Sequence, residues 1–98
     1  MFAQFQRVTH DMKPPKATSA PDPKFPDLPP DAQQQGTVVM LVGINARGRV
    51  EAVRVLRSDE HAFETSAVDT VKKWRFRPAE KNGQAVPVQV TVEMKFQR

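Results

Sequence analysis

The residues most able to do chemistry are few and scattered. His10 and His61 lie far apart, and neither has a second histidine at metal-ligand spacing. The chain has no cysteine, so thiolate metal sites and disulfides are excluded. Ser58-Asp59-Glu60-His61 sets serine, acid and histidine side by side. A nucleophilic triad needs those groups to converge from separate elements, so helix capping is the better account of the run. Glu60, Glu64 and Asp69 read as a solvated helix face rather than a general acid/base pair. The four glycines, Gly36, Gly43, Gly48 and Gly83, are too widely spaced to cradle a phosphate. In Trp74-Arg75-Phe76-Arg77-Pro78, aromatic rings next to cations would suit base stacking, but Trp74 falls on an apolar helical stripe. The expectation is a non-enzymatic chain with no metal and no cofactor, whose business is binding another macromolecule.

The elements that would position such a binding surface follow from the patterning. Of nine prolines, seven precede residue 31, and each removes a backbone donor. Residues 1–22 are therefore expected to be a flexible or extended leader, with a weak helical spacing at Phe5, Val8 and Met12. Residues 23–98 form the expected domain. Asp27, Pro29 and Pro30 suggest a short N-terminal helix that Gly36 would stop. Thr37 to Asn45 is almost wholly apolar on both faces, which marks a central strand. Asn45 to Gly48 gives a hairpin loop and Arg49 to Arg57 the returning strand, whose parity change predicts a bulge near Glu51-Ala52.

Ser58 or Asp59 should cap a helix over about 61–75, with Phe63, Ala67, Val71 and Trp74 on one stripe. Lys81-Asn82-Gly83-Gln84 is a turn. Val86 to Phe96 alternates without a break. A helical crossover normally joins parallel strands, so the antiparallel first strand lies between the other two. The fold class is α+β: a small three-stranded antiparallel sheet, order 2-1-3, with one main helix on one face and a short N-terminal helix. The expected core is Val38, Met40, Val42, Ile44, Phe63, Ala67, Val71, Trp74, Phe76 and Phe96. Val39 and Leu41 would lie on the outer face, to be covered by Phe2 and Phe5 or by a second subunit.

The net charge of +4 is spread among both signs, which suits a basic soluble surface better than a nucleic-acid patch. No run approaches the ~20 apolar residues of a membrane span, and no signal peptide opens the chain. Any anchor is expected outside these residues.

Ala67-Val68-Asp69-Thr70-Val71-Lys72-Lys73-Trp74-Arg75-Phe76-Arg77-Pro78-Ala79 followed by Asn82-Gly83 resembles the helix-end signature of TonB C-terminal domains. Pro23-Lys24-Phe25-Pro26 resembles the family's opening motif, with Phe25 where tyrosine is usual. Gly36-Thr37-Val38, the hairpin, Val53 to Ser58, and Val90 to Phe96 follow in order. The resemblance covers about residues 22–98. It implies an energy transducer of the periplasm, anchored in the inner membrane with ExbB and ExbD. The implied partner is the TonB box of outer-membrane transporters for siderophores, haem or vitamins. A TolA-like envelope tether is the alternative, and a small nucleic-acid-binding module a weaker one; a homodimer through added strands stays open. Strand addition would use Val88, Gln89, Val90, Thr91, Val92, Glu93 and Met94, with Asp22, Pro23, Lys24, Phe25 and Pro26 beside them.

Overall fold

The computed structural model describes residues 2–97. At its centre is β3 (Gly36–Ile44), the strand whose two apolar faces demanded cover. β4 (Val50–Ser58) pairs antiparallel on one side and β8 (Val88–Phe96) antiparallel on the other. The three long strands thus neighbour one another as second, first, third. A fourth strand corrects the three-stranded expectation: β1 (Gln6–Arg7) runs parallel along the start of β8, giving the order β1-β8-β3-β4. An edge strand leaves main-chain groups unpaired, and the leader carries an apolar residue, Phe5, that helps hold it there.

β4 is bulged twice. One shift in register leaves Glu51 unpaired between Ala52 and Val50, close to where the parity change put it. The other leaves out Leu56, which is 46% exposed. In the hairpin loop Asn45 Oδ1 accepts from the Arg47 and Arg49 amides at 2.9 and 3.1 Å, and Gly48 sits at φ +80°.

α1 (His61–Val71) covers the inner face of the sheet through Phe63, Ala67 and Val71. It ends four residues earlier than the spacing predicts. β5 (Arg75–Arg77) must be extended to pair antiparallel with β2 (Lys16–Ser19), and the Phe76 amide donates to Gly48 O at 2.8 Å. Neither Ser58 nor Asp59 caps α1. The residue before the helix is Glu60, and Asp59 Oδ2 instead accepts from the Thr37 amide at 2.9 Å, fixing the start of β3.

Neither short helix near the N-terminus forms. Residues 27–35 hold only turns and bends, one of them closed by the Ala32 amide on Pro29 O. The run offers no continuous apolar stripe to hold a helix against the sheet. The leader is extended and paired: after β1, Lys13 and Glu80 exchange backbone hydrogen bonds of 2.9 and 3.0 Å, and β2 follows. The last strand is split at Pro87. β7 (Gln84–Val86) turns back on β6 (Ala79–Lys81) through Asn82 and Gly83, both at positive φ, and β8 begins beyond the proline.

Val38, Met40, Val42, Ile44, Phe63, Ala67, Val71 and Phe96 are buried together. Trp74 and Phe76 are half-buried at the margin, because Trp74 Nε1 donates to Pro21 O at 3.0 Å rather than entering the core. Phe5, Met12, Ala79, Val88 and Met94 are buried as well. Val39 and Leu41, on the outer face, are half-buried.

Candidate functional site

The candidate surface is the outer edge of β8. Main-chain groups alternate sides along a strand. Pro87 O faces β1, because it accepts from the Gln6 amide at 3.1 Å. The odd residues Gln89, Thr91, Glu93 and Lys95 therefore direct their N–H and C=O outward, while Val88, Val90, Val92 and Met94 direct theirs into the ladder with β3. Only the first part of this edge is occupied: β1 pairs with Val88 and Gln89, and the Gln89 side chain donates to Phe5 O at 3.3 Å. Beyond Gln89 no strand pairs with β8 on that side among the described residues.

This narrows the expected docking stretch. Val88 and Met94 are buried side chains that anchor the strand, and Val90 and Val92 are half-buried below them. Thr91, Glu93 and Lys95 are exposed and carry the outward main-chain groups. Unbroken alternation in the sequence made this division legible. The cover on Val88 and Gln89 was not, since it comes from residues more than eighty positions away.

The opening segment lies at the far end of the same strand. Phe25 meets Phe63 edge-on at 5.5 Å and Phe96 at 6.4 Å, and those two rings stack at 4.6 Å. Asp22, Pro23 and Phe25 line a shallow groove with Lys95, Phe96 and Gln97. Lys24 O accepts a hydrogen bond from Ser66 Oγ, and Lys24, Pro26 and Asp27 line a second groove against α1. Strand end and opening segment thus form one surface, held together by aromatic packing.

Two carboxylates are set by local hydroxyls. Glu64 Oε2 accepts from Ser58 Oγ at 2.6 Å, which holds its pKa below the ordinary value against a smaller opposing effect of burial; His61, 3.2 Å away, adds to the lowering. Asp11 is lowered chiefly by the Thr9 hydroxyl. Neither lies on the β8 edge. His10 and His61 are both exposed, His61 bonds Glu64, and among the described residues no cluster of metal-ligating side chains includes either histidine.

The sequence reading puts Phe5 on the outer face, but its seat on Gly43 is not read from the sequence. The Phe5 ring lies directly on Gly43: a Cβ at that position would be 2.7 Å from the ring. Phe5 is 3% exposed, and Phe2 packs against it at 5.8 Å. The available signal was a glycine inside an otherwise unbroken apolar strand, which marks a close approach.

Comparison with known proteins adds a lineage. The family model for the Gram-negative bacterial TonB protein C-terminal matches residues 21–97. Protein TonB of Xanthomonas campestris pv. campestris is 33% identical over 75 residues, covering 76% of this chain and 34% of that protein. Protein tonB2 of Pseudomonas aeruginosa is 32% identical over 77 residues, covering 78% of this chain and 28% of that protein. The chain spans about a third of the length of these curated relatives.

Proposed function

The chain belongs to the TonB C-terminal family, and on that footing we propose that it is the partner-binding end of a TonB-type energy transducer. It works in the periplasm, on a protein anchored in the inner membrane and driven by ExbB and ExbD. Its partner is the TonB box of an outer-membrane transporter for siderophores, haem or vitamins. The observation that carries this reading is the outer flank of β8 at Thr91, Glu93 and Lys95, with which no strand pairs among the described residues.

An extended guest laid along that flank completes main-chain hydrogen bonds that water otherwise satisfies. Three outward residues offer three donors and three acceptors. At ~1 kcal/mol net each, the gross gain is about 6 kcal/mol before the guest's ordering cost. Affinity from the main chain alone is then about tens of micromolar or weaker, which suits repeated capture and release. Thr91, Glu93 and Lys95 give the guest one hydroxyl and two opposite charges to match. The groove at Asp22, Pro23 and Phe25 extends the contact beyond the strand end.

The test is an NMR titration with TonB-box peptides. The Thr91, Glu93 and Lys95 amides should shift and gain exchange protection. Peptides N-methylated at alternate residues should lose binding in one frame and keep it in the other. Shifts confined to α1, with those three amides unmoved, would overturn the reading.

A further inference from the structure

Phe5-Gln6-Arg7 already occupies one end of the β8 edge as a guest would. Gln6 makes the main-chain pairing, and Phe5 drops its ring into the depression that Gly43 leaves in β3. The polar neighbours reinforce the fit. Gln89 Nε2 reaches Phe5 O, and Gln4 Nε2 reaches Glu51 Oε2 at 3.3 Å on the far side of the sheet. After Arg7 the chain leaves the edge and turns at Thr9–Met12 toward Glu80, although the edge itself continues.

We infer that the Gly43 depression, with the start of β8, is a subsite for an aromatic side chain on an extended peptide, and that Phe5 holds it in cis. The chemistry is that of a flat apolar ring against bare backbone, flanked by strand pairing that fixes the ring's register. Any side chain at position 43 would fill the space. The subsite is continuous with the open flank at Thr91, so a guest too long for Thr91 to Lys95 must meet the leader. It either stops short or displaces Phe5 and seats a ring of its own. The inference deepens the docking reading and rests on it for the source of the incoming strand, but not for the socket.

The experiment uses the full chain. The probe is a synthetic peptide with the sequence of residues 2–9, compared with the same peptide carrying alanine in place of both phenylalanines. In a Phe5→Ala chain the socket is vacated, and the aromatic peptide should bind and shift the Gly43, Val88 and Gln89 amides. The wild-type chain should bind it at least about tenfold more weakly, because only its leader-released fraction is competent. Adding Gly43→Ala to Phe5→Ala refills the socket and should abolish binding. Should either variant fold poorly, the wild-type chain still decides: excess aromatic peptide must speed exchange of the Gln6 amide, and the alanine peptide must not.

Equal binding of both peptides, or a Gln6 amide indifferent to either, overturns the socket. If a TonB-box peptide moves only Thr91 to Lys95, equally in wild type and Phe5→Ala, the socket is no part of docking and the docking reading survives. If the leader peptide binds Phe5→Ala while TonB-box peptides bind neither chain, the docking reading fails and the socket remains.

Discussion

Ser58 and Glu64 illustrate how a sequence signal can be real yet misassigned. The serine before the helix does use its hydroxyl, but on the Glu64 carboxylate rather than on a helix amide. That contact lowers the pKa of Glu64 from the ordinary 4.5. A depressed carboxylate stabilises the fold above its unfolded pKa and loses that contribution as pH falls through the folded value. Ser58→Ala should therefore raise the Glu64 pKa, read by carboxyl NMR, and flatten the loss of stability below pH ~4.5. Gly48 is the least replaceable of the four glycines. It combines φ +80° with a site where a Cβ would lie 1.8 Å from Phe76 O. Gly48→Ala should cost about 3 kcal/mol or more in denaturant melts, because strain and a backbone clash add. Phe63→Ala, at the centre of the aromatic stack, should cost about 3–5 kcal/mol, enough to unfold much of so small a domain.

β8 behaves differently at alternate residues, and proline substitution reads the difference directly. The Val90 amide faces β3, so Val90→Pro breaks a ladder bond opposite Val42 and should destabilise by about 3 kcal/mol. The Thr91 amide faces outward, where proline is tolerated on an edge. Thr91→Pro should leave the melting temperature within a few degrees of wild type yet abolish transporter-peptide binding. A Thr91→Pro chain that folds and binds normally would remove β8 from the proposed function. The helix teaches the complementary lesson. Its apolar stripe fixed which residues meet the sheet, but its end was decided by β5, whose pairing with the leader demands extended backbone from Arg75 onward.

Across the whole molecule the leader ties distant parts together. It touches β8, then β6 at Glu80, then β5, before its Pro21 carbonyl receives the Trp74 indole. The leader is thus part of the folded unit, and the amides of Gln6, Lys13 and Glu80 should be protected in native-state hydrogen exchange. Guest binding acts on the same whole. A peptide at ten times its Kd stabilises the native state by about 1.4 kcal/mol, which for a domain of this size raises Tm by roughly 5–10 °C. An unchanged Tm at saturating peptide would argue against binding to the folded state.

Read from the chain alone, the apolar run of β3, the alternation of β8 and the stripe of α1 determined the layers, the central strand and the main core. Periodicity is a local property, and each of these elements is long enough to declare it. The opening motif and the helix-end signature also carried the family resemblance. Tertiary structure alone decided which strands the leader pairs with, which part of the β8 edge stays open, and which ring lies on Gly43. Those outcomes depend on contacts between residues dozens of positions apart, where two-residue strands and single rings leave no period to read. A free main-chain flank also has no residue type of its own, since every non-proline residue supplies the same donor and acceptor.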